Sequence, residues 1–198
     1  MRNLLFIPSI FMIASLLTGC AGQTAESKSL QDSQKPTIVP VLPAPTATTQ
    51  AEVLSSTPPK DCPITVPQDP PLVPPAPYSP TSPFPNQFWY GTNSLWTLVP
   101  TSGVWPGLPH DGKGYGQKVF WWREGYVWTE EPQPEITVTA ERLDASAPVF
   151  TSSGGTNAYA DDIGSAMLTG VEFPTLGCWK VTGNYKDAEL SLVVWVAP

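Results

Sequence analysis

The chain has 198 residues, a formal net charge of −7 and 25 prolines, but only one histidine. So acidic a balance argues against nucleic acid as a partner and against polybasic contacts with anionic lipid. Prolines and aromatic residues are also segregated along the chain, and that segregation divides it into regions with different properties.

The first region begins with Arg2 and runs into an apolar stretch from Leu4 to Leu17. A membrane-spanning helix needs roughly 20 apolar residues. The stretch is shorter and has the length of the apolar part of a secretory signal. It ends in Leu17-Thr18-Gly19-Cys20. That tetrapeptide resembles the lipobox of bacterial lipoproteins. The resemblance implies that residues 1–19 are a signal peptide, that cleavage falls before Cys20, and that the Cys20 sulfur carries a diacylglyceryl group, often with a further acyl chain on the new amino group. Two or more acyl chains anchor a protein stably where one binds only marginally, so membrane lipid is the expected partner of Cys20. The alternative is an ordinary secreted protein whose signal ends in Gly-Cys. Ala21 stands where an Asp would retain such a protein at the inner membrane. By the same resemblance, the expected address is the outer membrane of a two-membrane host, or the outer face of a single cell membrane.

Of the 25 prolines, 16 lie between Pro36 and Pro85. Proline fixes φ and lacks a backbone donor, so runs such as Pro40-Val41-Leu42-Pro43-Ala44-Pro45 form neither helix nor ladder. Residues 20–60 are expected to be a lipidated, disordered tether. About 40 residues span up to ~120 Å as polyproline helix, or nearer ~35 Å as a flexible coil. Residues 61–85 read as an extended lead-in to a domain that covers 61–198.

From Phe84 onward the composition changes, and all eight tryptophans lie beyond that point. About 115 residues suffice for one domain with a core. Strand signals recur through it. Leu95 to Val99 is short, apolar and bounded by Asn93-Ser94 and Pro100. Lys118 to Arg123, then Glu124-Gly125, then Tyr126 to Thr129 has the pattern of a hairpin with a tight turn. Glu135 to Leu143 alternates strictly, with Ile136, Val138 and Ala140 on one side. Val149 to Thr151 and Ala166 to Phe173 are further strands, and Cys178 to Thr182 turns through residues 183–187 into Glu189 to Val196. No long segment has helical apolar spacing. The expected fold is all-β: an antiparallel β-sandwich of about seven strands.

The segment Phe173-Pro174-Thr175-Leu176-Gly177-Cys178-Trp179-Lys180-Val181-Thr182 resembles the last two strands of bacterial immunoglobulin-like modules. The resemblance puts Trp179 at the aromatic corner and Val181 at the buried place two residues on. Together with Trp89-Tyr90-Gly91, Leu95-Trp96 and Trp121-Trp122-Arg123, the set is similar to bacterial lipoproteins carrying one such domain, over roughly Cys62 to Val196. This implies a fold and an address, and no chemistry.

With Cys20 taken by lipid, Cys62 and Cys178 remain in a compartment where disulfides persist. A bond between them is expected. Cys178 has the opposite parity to Trp179 and Val181, so the bond would be a peripheral staple. The alternatives are two free thiols or a metal site, and two cysteines without nearby histidines make a poor metal set. No metal and no cofactor are expected.

Catalytic signals are sparse. His110 is the only histidine, and its neighbour Asp111 lies in the turn-rich stretch Gly107 to Gly114. Asp161-Asp162 lacks the spaced ligands of a calcium loop. The expectation is that the chain is not an enzyme. Aromatic residues are the stronger lead. Trp121 and Trp122 are neighbours on one strand and face opposite sides of the sheet, while Tyr126 and Trp128 share a side. Either these four residues form an exposed ligand surface, or the proline-rich segment near residues 78–88 covers one face. The function expected is a non-enzymatic, surface-tethered module that binds an envelope glycan or protein, or serves as a spacer. The alternative is an envelope hydrolase or glycan-binding module using the aromatic strip or the His110 loop.

Overall fold

The structure, a computed structural model, describes residues 55–79 and 81–198. The signal peptide, Cys20 and the tether as far as residue 54 lie outside the described residues.

Ten strands follow in order: β1 (Gln87–Thr92), β2 (Leu95–Pro100), β3 (Val104–Pro106), β4 (Tyr115–Trp122), β5 (Thr137–Arg142), β6 (Phe150–Ser153), β7 (Thr156–Ala160), β8 (Gly164–Phe173), β9 (Gly177–Tyr185) and β10 (Ala188–Ala197). They form two five-stranded sheets, β1-β2-β4-β8-β7 and β3-β10-β9-β5-β6. All pairs are antiparallel except β3 with β10. The run β2-β4-β8-β7 has the immunoglobulin order A-B-E-D, and β10-β9-β5-β6 has the order G-F-C-C′. The expected all-β sandwich is present, with β1 and β3 added at the edges.

The core follows from strand alternation. Ile136, Val138 and Ala140 are fully buried while Glu141 is exposed. Between the sheets, Leu95, Val99, Val119, Trp121 and Val171 meet Val138, Trp179, Val181, Leu192 and Val194. Trp121 on β4 sits at the centre, and its Nε1 donates to Thr169 Oγ1 at 2.9 Å. Its ring lies against Gly183 on β9, where a Cβ would fall 2.7 Å from the ring carbons. Antibody domains span this B-to-F gap with a disulfide; here an indole packed on a glycine spans it. Trp179 and Val181 are fully buried. Trp179 Nε1 donates to the Thr175 carbonyl at 3.0 Å, which fixes the corner leading into β9.

The expected hairpin over residues 118–129 does not form. β4 stops at Trp122, and the next residues turn, with the Tyr126 N–H on the Arg123 carbonyl and the Glu130 N–H on the Val127 carbonyl. Both edges of β4 are already taken by β2 and β8. Pro132 and Pro134 then supply no donors for a new ladder.

The outer face of the first sheet carries Trp89, Trp96, Leu98, Trp122 and Ala166, and the proline-rich segment covers it with Leu72, Tyr78 and Phe84. This segment is a strap. Thr65 donates its N–H to the Val193 carbonyl at 2.9 Å and accepts the Val193 N–H on Oγ1 at 2.7 Å. Gln68 bonds both the N–H and the carbonyl of Gly91 through its carboxamide, blunting the outer edge of β1. Tyr78 meets Trp96 edge to face at 5.2 Å and donates its hydroxyl to the Ser165 carbonyl at 2.9 Å. The start of the strap is pinned by the Cys62–Cys178 disulfide, with Cα atoms 5.7 Å apart. The bond sits with Trp195 and Ala197 in a small cluster outside the main core, on the side that the parity of β9 implies.

Candidate functional site

The four residues of the possible ligand surface are not brought together. Trp121 and Trp122 are fully buried and Tyr126 is 6% exposed; only Trp128, at 37%, reaches the surface. The second sheet covers Trp121 and the strap covers Trp122, whose Nε1 donates to the Ile163 carbonyl at 2.9 Å. Without a strand at 126–129, Tyr126 turns inward against Tyr185, and its hydroxyl donates to the Glu131 carbonyl at 2.8 Å. Burial, aided by the nearby Glu131 charge, pushes its phenol up to about 12.

His110 is exposed. Its Nδ1 accepts the Gly112 N–H at 3.2 Å, and its ring lies 4.6 Å from that of Tyr115. Asp111 Oδ1 accepts the N–H groups of Lys113 and Gly114, which holds its carboxyl below the usual range. Among the described residues neither side chain bonds the other or a serine, so both act as loop formers. Asp161 and Asp162 sit in the exposed turn between β7 and β8, with the Tyr159 hydroxyl on Asp161 Oδ1 at 3.3 Å. Among the described residues no three metal-ligating side chains gather in one place.

A cleft of ≈ 770 Å³ opens where the strap leaves the outer face of the first sheet. Its walls are the strap around Tyr78, the turn Glu124–Val127, and the β7–β8 turn; Trp89 and Ile163 also line it. The charged side chains lining it are Glu124, Asp161 and Asp162, and no lysine or arginine lines it. At its margin Tyr159, 53% exposed, stacks on Trp128 with ring centroids 5.5 Å apart and planes at 20°. The Asn157 carboxamide donates to the Trp128 carbonyl at 2.6 Å and steadies that pair.

The chain matches no protein-family model, no curated protein and no solved structure.

One wall of the cleft is braced from behind. Tyr185 donates its hydroxyl to Glu131 Oε2 at 2.5 Å, and Lys186 Nζ lies 3.3 Å from the same oxygen and 4.9 Å from the Tyr185 ring centroid. Burial opposes the charge on Glu131, but these two donors outweigh it and lower its carboxyl. The contact ties the 124–131 turn to the β9–β10 turn. Neither Tyr159 nor the lining role of Tyr78 is legible in the sequence. Their signal was weak, because Tyr159 lies in the polar strand Thr156–Ala160 and Tyr78 lies among prolines.

Proposed function

We propose that the chain is a lipid-anchored module of the bacterial cell envelope that holds a non-enzymatic, immunoglobulin-like binding domain outside the membrane. The observation that carries this reading is the division of the three cysteines. Cys62 and Cys178 are joined to each other, a state typical of oxidising compartments. The one left over is Cys20, in Leu17-Thr18-Gly19-Cys20 at the end of an apolar stretch. The cleft supports binding as the domain's task. Its walls come from three separate segments held by the strap and by the Glu131–Tyr185 contact, an arrangement that presents a fixed shape. The exposed place of His110, among backbone contacts of its own loop, supports binding over hydrolysis.

Intact-mass analysis of the membrane fraction tests the anchor. The mature chain is expected to begin at Cys20 and to carry the added mass of lipid, and Cys20→Ser is expected to leave the membrane. An unmodified Cys20, or a Cys20→Ser protein that stays on the membrane, overturns the reading.

A further inference from the structure

We propose that the cleft beside the strap takes a basic peptide: an extended stretch of a partner protein carrying lysine or arginine side chains. This names the ligand of the binding module proposed above and rests on that reading.

Charge is the first argument. Glu124, Asp161 and Asp162 face one cleft, and among the described residues none of them has an ion-pair partner. The cations nearest in sequence to Glu124 and to the brace are engaged elsewhere. Arg123 binds Asp187 at 2.6 Å and lies over the Tyr185 ring, and Lys186 is held by Glu131. Uncompensated carboxylates in a cleft with low-dielectric walls focus a negative potential that draws cationic groups. The aromatic margin is the second argument. Tyr159, backed by Trp128, offers a ring on which guanidinium or ammonium groups stack.

The edge of β7 selects a peptide over other cations. β7 is an edge strand, bonded on one side to β8. The N–H of Asn157 points away from β8 and meets the Pro132 carbonyl at 3.0 Å. Two residues on, the alternation of an antiparallel ladder turns the N–H and carbonyl of Tyr159 the same way. Among the described residues no acceptor meets that N–H. Pro134 and Pro132 already take the N–H groups of Gly155 and Asn157, so Tyr159 is the open residue of this edge. An extended peptide can exchange backbone hydrogen bonds with Tyr159 while its basic side chains reach the carboxylates, which is strand addition with charge selection. A polyamine or a neutral sugar has no backbone with which to use the edge.

The test uses the full chain in detergent and a fluorescein-labelled octapeptide of alternating Thr and Lys, followed by anisotropy. Saturable binding is expected. It is expected to weaken at least tenfold in Glu124→Gln/Asp161→Asn/Asp162→Asn and to stay within twofold in Asp61→Asn/Glu135→Gln/Glu189→Gln, which removes the same charge from other exposed sites. N-methylation of alternate backbone nitrogens in the probe is expected to weaken binding tenfold. Melting curves of each variant confirm that folding is retained; the substituted side chains lie on exposed turns or edges. Equal loss in both triple variants would show attraction by net charge alone and overturn the proposal. So would equal binding of a Thr-Glu octapeptide, indifference to N-methylation with competition by spermidine, or binding of a neutral oligosaccharide in place of the peptide. Cys20 lipidation is read separately, so failure of the peptide with lipid present overturns the ligand class and leaves the anchoring intact.

Discussion

Gly183→Ala probes the centre of the sandwich with one methyl group. The added Cβ would lie 2.7 Å from two ring carbons of Trp121 and 3.0 Å from a third, where carbon pairs are most stable at about 3.5–4.0 Å. Trp121 is fully buried and held at Nε1 by Thr169. Its ring cannot swing aside without losing a hydrogen bond worth about 1 kcal/mol. Overpacking a tight core costs typically ~1–3 kcal/mol. Alanine also restricts the unfolded chain, which offsets ~0.4–1 kcal/mol of that loss. The expected net destabilisation is about 1–2 kcal/mol. Gly170→Ala is the matched control: it lies in β8 with nothing within 4 Å of the new Cβ, so only the entropic gain applies. Urea unfolding of the full chain, followed by tryptophan fluorescence, compares the midpoints at constant m. Gly183→Ala is expected below the wild type and Gly170→Ala at or above it. If the two variants unfold alike, the contact between Trp121 and Gly183 does not set the spacing of the sheets and the argument fails.

Replacing Cys62 and Cys178 together by Ser removes a cross-link over a separation of 116 residues. The chain-entropy account assigns about 4–5 kcal/mol to such a loop, so the urea midpoint is expected to fall sharply in oxidising buffer, and reductant to leave the double variant unchanged. Alkaline titration of tyrosinate absorbance is expected to show a phenol that ionises only at about 12, and Tyr126→Phe to remove it. Glu131 has a lowered carboxyl, so its ionised form stabilises the fold above the ordinary carboxylate range, and that stability is lost as pH falls through the lowered folded-state value. The stability difference between wild type and Glu131→Gln, about 0–1 kcal/mol for so exposed a pair, is therefore expected at neutral pH and expected to vanish in acid.

The parts of the fold legible in the sequence were those whose two faces differ. Ile136, Val138 and Ala140 alternate with polar neighbours, and the inward side chains are buried. Trp179 and Val181 face the core and Cys178 does not, as parity on β9 requires. β1 escaped notice because Trp89 lies under the strap while Phe88 and Tyr90 face the core, so both faces are apolar and no alternation shows. β7, Thr-Asn-Ala-Tyr-Ala, is a mostly polar edge strand with little to bury. The reverse error at Tyr126 to Thr129 has a local cause. β-branched and aromatic residues suggested a strand, but the occupied edges of β4 left it no partner. The parity of Trp121 and Trp122 was readable, and cover of one face by the proline-rich segment was one of the two readings it left; choosing between them needed contacts with Leu72 and Tyr78, more than forty positions away in sequence. The cleft was illegible for the same reason, since its walls meet only after the strap has wrapped the sheet.

The Cys62–Cys178 bond also decides how the domain answers a pull. Under the proposed anchoring, tension from the membrane travels along the chain to Cys62 and crosses through sulfur into β9, a central strand paired on both sides by β10 and β5. The strap beyond residue 62 is bypassed. Without the bond, the same tension would break the contact of the Ser55 carbonyl with Trp195, pass residue 62 and strip the strap from the domain one contact at a time, Thr65 from Val193 and then Gln68 from Gly91. With the bond, the domain is held by its middle, and the cleft walls built on the strap keep their shape while the tether is drawn tight.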